Sequence, residues 1–319
     1  MTGKKVSSFE LPNSRTLRFK SIGISDIGDD ELIVSAADAT ENRGQLPVWS
    51  DISKKSPERI IWVTQKDREY ISIERGGHAK AEIALRDESS LDLLINANSV
   101  LIDISGLPHH IWAPLLKNAY RRQLRTRVLY AEPEKYKTHP SPASATVFDL
   151  SVKFEGLGPL PGFVRLTGPT DENMCLFVAM LGFEGNRPER LVFQLDPIPK
   201  VIPVVGMPGF QIDYPGFTVA CNRVLLEDYK AYAEVRYARA SCPFEAYDAL
   251  CSIRKDYPDH YMYLAPVGTK PHALGAIVYA ITHPDTTEIM FDHPVRKPGR
   301  TEGVGVIHIY DFGNFDDYY

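Results

Sequence analysis

Short apolar runs alternate with segments of helical period along most of the chain, which predicts an α/β protein. Residues 16–19 and 31–35 carry small apolar segments split by Gly23, Gly28 and Asp29-Asp30, and read as strands and turns. Residues 57–64 are β-branched and aromatic over a strand length, and residues 79–96, rich in Ala, Glu and Leu, have the period of a helix. Residues 99–104 are almost continuously apolar, as in a parallel strand covered on both faces. A Ser105-Gly106 turn follows. From 107 to 124, Ile111, Leu115, Leu116 and Ala119 recur at helical spacing while Lys117, Arg121 and Arg122 fill the other face. With a strand at 127–130, this makes a βαβ unit.

Residues 137–162 are rich in Pro, Ser and Gly and read as a connection. After it, 175–181 and 190–195 read as strands, the Pro- and Gly-rich stretch 197–215 as a loop, and 219–232 and 243–254 as helices. Phe244, Tyr247, Leu250 and Cys251 stand at helical spacing in the last of these, with Pro243 suited to its first turn.

Residues 261–298 repeat the layout of 100–136. Aligning Gly106 with Gly268 sets an offset of 268 − 106 = 162, which also superposes His110 on His272 and Val128-Leu129 on Met290-Phe291. An upstream echo, Pro57-Glu58-Arg59-Ile60 against Pro188-Glu189-Arg190-Leu191, has an offset of 188 − 57 = 131 and implies an insertion in the second half. The expected fold class is therefore α/β, with two Rossmann-like halves of largely parallel sheets, internally duplicated. Its expected parts are a small β-rich segment at 1–50, one half at 51–150 and a second, with the insertion, at 151–319.

Composition narrows the function classes. The formal net charge of −5 argues against a surface that clings to duplex nucleic acid, although a local basic cleft, and with it a nucleic-acid partner, stays open. No stretch reaches membrane-spanning length and residues 1–20 lack an apolar leader, so the expectation is a cytoplasmic protein with no membrane partner. Cys175, Cys221, Cys242 and Cys251 form no close Cys-x-x-Cys pair, which points to reduced thiols and no metal.

In parallel sheets, ligands settle beyond the carboxyl ends of the strands, where helix N-termini present unpaired N–H groups. Both repeated turns should lie there. In the turn Val267-Gly268-Thr269-Lys270-Pro271-His272, Gly268 permits close backbone approach, Thr269 can cap or donate, Lys270 brings positive charge and His272 faces the same end. That set suits phosphate. The first turn offers Ser105, Gly106, His109 and His110, preceded by Asp103. Histidines there could bond a base or phosphate, or act in acid–base chemistry. Asp103 and Glu132 are the candidate catalytic carboxylates by position alone, and the loops at 130–136 and 292–297 should rim the same cleft. The polar loop 35–45, with Asp38, Glu41 and Arg43, reads as a lid, a catalytic loop or a plain surface loop. No P-loop, Gly-x-Gly-x-x-Gly, Gly-x-Ser-x-Gly or His-Glu-x-x-His motif is present, so no nucleotide or metal cofactor is expected.

The stretch Ala265-Pro266-Val267-Gly268-Thr269-Lys270-Pro271-His272-Ala273-Leu274-Gly275-Ala276 after a strand resembles the strand–turn–helix of CRISPR-associated Rossmann-fold (CARF-like) sensor domains, whose turn often reads Gly-Gly-Thr-Lys. Asp103-Ile104-Ser105-Gly106 looks like the Asp-Ile-Thr-Gly version of that element. The second turn here has one glycine where the family often has two, and the first has Leu107-Pro108 in place of Thr-Lys. The resemblance implies a nucleotide-binding regulatory sensor of a prokaryotic antiviral defence system, reading a phosphorylated ligand between its halves and passing the signal to a protein partner that supplies the effector. Two other readings stand beside it: an enzyme acting on a nucleotide or sugar phosphate, and a scaffold or interaction subunit of a larger complex.

Overall fold

A computed structural model describes residues 15–77, 81–143, 146–165, 168–172 and 174–318. Residues 1–14, most of the stretch read above for its lack of an apolar leader, lie outside the described residues, as do residues 79 and 80 of the expected helix. The chain divides into two units, Met1–Tyr136 with Pro298–Tyr319, and Lys137–Lys297. Both mix helices and strands. Among the described residues, no helix is long and apolar enough to cross a membrane.

Unit 1 holds β1 (Thr16–Phe19), β2 (Leu32–Ala36), α1 (Pro47–Lys55), β3 (Ile60–Gln65), β4 (Tyr70–Arg75), β5 (Ala81–Ala84), α2 (Glu88–Leu94), β6 (Ser99–Asp103), α3 (His109–Arg121), β7 (Arg125–Ala131), β8 (Lys135–Tyr136), β18 (Thr301–Glu302) and β19 (Ile307–Gly313). Eight of these strands form one sheet in the order β1-β19-β7-β6-β2-β3-β4-β5. Its centre, β7-β6-β2-β3, is parallel, and the outer pairings are antiparallel. β2 and β6 are buried along their whole length, as central parallel strands must be when both faces are covered. Trp49 and Ile52 of α1 join Ile33, Leu101, Leu129 and Ile309 in the core on one face. β8 and β18 form a separate antiparallel ribbon.

Unit 2 opens with the hairpin β9 (Thr138–Ala143) and β10 (Thr146–Phe148), then β11 (Ser151–Phe154), which pairs with β17 (Pro294–Arg296). Its main elements are β12 (Cys175–Met180), α4 (Asn186–Val192), β13 (Lys200–Gly206), α5 (Tyr214–Cys221), α6 (Arg223–Asp228), β14 (Arg236–Ala238), α7 (Pro243–Asp256), β15 (Tyr261–Ala265), α8 (Lys270–Thr282) and β16 (Thr287–Ile289). The five-stranded sheet runs β14-β13-β12-β15-β16, parallel throughout. Phe177, Val201, Val205, Leu191, Val192 and Leu225 pack together in its core. α8 is buried from Lys270 to Ile281 and lies close to α7. A Cβ at Gly275 would stand 2.3 Å from the Pro243 carbonyl oxygen, so only glycine permits that approach.

Two segments run in step. β6 and β15 start 261 − 99 = 162 residues apart, β7 and β16 start 287 − 125 = 162 apart, and the helices between them, α3 and α8, are of equal length.

The elements differ from the sequence-based expectation in several places: the expected connection 137–162 carries β9, β10 and β11, and four further differences have a local reason. Residues 190–195 read as a strand because an apolar run this short fits either element. They belong instead to the end of α4 and a turn that leaves Phe193 exposed. The expected loop 197–215 contains the interior strand β13, which Pro203 had disguised, since proline is rare inside a sheet. The expected helix 219–232 is broken at Asn222, whose side-chain amide donates to the Thr218 and Gly182 carbonyls at 2.7 Å each. The expected helix 79–96 is shortened to α2, whose start Asp87 caps by accepting from the Ser89 and Ser90 amides.

Candidate ligand-binding site

In each sheet the order reverses beside the first parallel strand, between β12 and β15 in unit 2 and between β2 and β6 in unit 1. The chain leaves those strands in opposite directions, and the carboxyl ends at such a reversal are where open α/β sheets hold ligands. The sequence-predicted turns sit there, Gly268 to His272 after β15 and Ser105 to His110 after β6.

In unit 2, Gly268 packs against the loop after β12, and a Cβ there would stand 2.6 Å from the Leu181 carbonyl oxygen. Thr269 is the N-cap of α8. Its hydroxyl donates to Ala240 O at 2.7 Å and accepts from the His272 amide at 3.3 Å. Pro271 has no N–H, so the α8 N-terminus keeps fewer spare donors than an uncapped helix. Lys270 is the first helical residue and is only 6% exposed. His272 is fully buried, and its Nε2–H is shared between Ala238 O at 3.2 Å and Arg239 O at 3.1 Å. Burial pushes its pKa below the ordinary histidine value, outweighing the two carbonyls that favour the charged form.

In unit 1, Gly106 meets the loop after β2 in the same manner, with an added Cβ only 2.8 Å from the Ala36 Cβ. Asp103 is wholly buried. One carboxylate oxygen accepts from Trp49 Nε1 at 2.8 Å and Ser35 Oγ at 3.3 Å, the other from the Ser105 amide at 2.8 Å. Ser105 Oγ accepts from the Ala131 amide at 2.9 Å. His109 and His110 occupy the first turn of α3 and are buried, His109 with its ring centroid 5.2 Å from that of Trp112. Glu132, just past β7, accepts from His308 Nε2 at 2.7 Å. The structure thus brings Asp103 and Ser105 together in one network and places Glu132 in another.

An arginine braces the strand ends in each unit; the sequence named Arg43 only as part of a polar loop and missed Arg187 altogether. Arg187, in the first turn of α4, is 3% exposed. Its Nε donates to Asp292 Oδ2 at 2.9 Å, its Nη2 to Asp292 Oδ1 at 2.7 Å, and its Nη1 to Val267 O at 3.3 Å and Glu184 Oε2 at 3.4 Å. The guanidinium lies over the rings of Phe154 and Phe291. Arg43, 2% exposed, comes from the corresponding loop of unit 1, where it donates to Ala131 O at 3.1 Å and Glu41 at 2.6 Å and lies over the Tyr130 ring. Burial opposes the charge on both, but their neighbours win and both pKa values rise.

Sheet register makes the correspondence explicit. Leu32 pairs with Val100 and Leu176 with Met262, so β2 maps on β12 at 176 − 32 = 144 while β6 maps on β15 at 162. At 144, Arg43 falls on Arg187 and Asn42 on Asn186; at 162, Tyr130 falls on Asp292. Leu32, Val34 and Val48 likewise fall on Leu176, Val178 and Val192 without a gap.

Comparison with protein families, with curated proteins and with solved structures finds no match for this chain.

Proposed function

We propose that this chain is a nucleotide-binding regulatory protein built from two Rossmann-like units related by duplication, and that it recognises a phosphorylated small molecule at the carboxyl ends of its parallel strands. The observation that carries the reading is the position of Gly268-Thr269-Lys270 at the switch point of a wholly parallel five-stranded sheet, with Lys270 opening the helix. The duplication rests on the two constant offsets and on the braced Arg43 and Arg187 at equivalent positions.

Binding is favoured over turnover because the candidate acids and bases are occupied internally. Asp103 holds Trp49, Ser35 and Ser105, Glu132 holds His308, and His272 holds two backbone carbonyls. By its resemblance to CARF-like sensors, the protein acts in a prokaryotic antiviral defence system and hands the signal to an effector partner. Equilibrium titration with mono- and dinucleotides and with cyclic oligonucleotides tests the reading. Binding of one class, lost in Lys270→Ala, is the expected result. A Lys270→Ala variant that binds every ligand as tightly as the parent, or a nucleotide consumed to product, overturns it.

A further inference from the structure

Around Glu41, unit 1 holds a cluster of which the account above uses only the Arg43 contact. Its carboxylate accepts from Arg43 Nε at 2.6 Å, Arg300 Nε at 2.7 Å and Thr301 Oγ1 at 2.6 Å. Three donors from two separate segments thus converge on one anion. Arg300 is 5% exposed, yet among the described residues Nε–H makes its only hydrogen bond. Arg43 bonds through Nε and Nη1 and leaves Nη2 without a partner among the described residues. None of these remaining nitrogens is among the buried side-chain atoms that lack a partner, so each keeps some contact with solvent and can be reached by an anion. Two guanidiniums here present more donors than one carboxylate fills. Glu41 itself belongs to a loop in which Asp38, Thr40 and Asn42 are exposed.

We infer that Arg43, Arg300 and Thr301 form a binding site for a phosphoryl group, and that Glu41 is a built-in competitor occupying it. A phosphoryl group carries three or four acceptor oxygens against the two of a carboxylate, and so matches a donor set left partly unfilled. Entry of the phosphoryl group displaces Glu41 and leaves the loop after β2 free to change place. This is a site in unit 1 with its own residues, and it does not depend on the reading of the Lys270 turn.

The test is a titration with inorganic phosphate at constant ionic strength, with chloride as control, read by melting temperature and by calorimetry. Glu41→Gln removes the competing charge and should tighten phosphate by about tenfold, roughly what one charge-assisted hydrogen bond is worth. Arg300→Gln should abolish the effect of phosphate beyond that of chloride. Because phosphate could also reach the Lys270 turn, the gain must persist in Glu41→Gln/Lys270→Ala. A gain that vanishes there overturns this site and leaves the Lys270 reading standing. Equal phosphate response in the parent, Glu41→Gln and Arg300→Gln also overturns it, as does a Glu41→Gln variant that binds more weakly. Should Glu41→Gln fail to fold, Thr301→Val and Arg300→Gln decide the question, since both must weaken phosphate binding relative to the parent.

Discussion

Removing the carboxylate of Asp292 should destabilise unit 2 more than any surface change, because it strands a buried cation. Arg187 has 3% of its surface exposed and Asp292 has 6%, and the pair is bidentate at 2.7 and 2.9 Å. In Asp292→Ala the remaining acceptors are Val267 O at 3.3 Å and Glu184 Oε2 at 3.4 Å, both long for a charged bond. Breaking a buried pair from one side costs about 3 to 5 kcal/mol. For a unit of this size, each kcal/mol moves the melting point by roughly 2 to 4 °C, so a fall of about 6 to 20 °C is expected. Arg187→Met should cost a similar amount by stranding the carboxylate. The double variant Arg187→Met/Asp292→Leu should recover much of the loss, because apolar replacement of both partners removes both stranded charges. Urea denaturation of the four proteins gives the coupling energy directly. If either single variant costs less than about 1 kcal/mol, the value of an exposed pair, then Arg187 does not brace the strand ends as described.

Gly275→Ala should destabilise unit 2 by about 1 to 3 kcal/mol, since the new methyl meets the Pro243 carbonyl and the Tyr247 amide rather than a side chain that can turn away; chemical denaturation checks it. His272 gives unit 2 a pH dependence. Its folded pKa lies below the ordinary 6.5, so the unfolded chain binds the proton first and stability falls as pH drops below 6.5. His272→Gln, which can still donate to the Ala238 and Arg239 carbonyls, should flatten that slope in denaturation curves taken from pH 7.5 to 5. Glu41 should act at lower pH. Burial alone would raise its pKa, but Arg43, Arg300 and Thr301 hold it well below the usual carboxylate range, so its contribution is present above pH 4.5 and lost as pH falls below that. Glu41→Gln should remove this acid-limb slope from melting curves.

Much of the parallel framework was legible in the residues. The almost continuously apolar run 99–104 read as a covered strand, and Pro271 with Thr269 marked the start of α8. The match in spacing between the two units was legible only in part. Between β12 and β15 unit 2 carries 162 − 144 = 18 more residues than unit 1 does between β2 and β6, so no single offset aligns both segments. The upstream echo at 131 matched residues just before β3 with the interior of α4, elements that are not equivalent. Arg43 was visible only as part of a polar loop and Arg187 not at all, because nothing local says that a guanidinium crosses to a carbonyl 88 or 80 residues away. Burial was equally hidden at His272 and Asp103. Both looked available for chemistry, and their acceptors and donors come from strands and helices far off in the chain.

Native mass spectrometry of the chain as purified, beside Lys270→Ala, tests the central claim most directly. The parent should carry a small molecule that contains phosphorus, released on denaturation, and the variant should carry none. A parent that holds no phosphorylated species, and takes up none from a nucleotide mixture, contradicts the claim, as does a variant that holds the same amount.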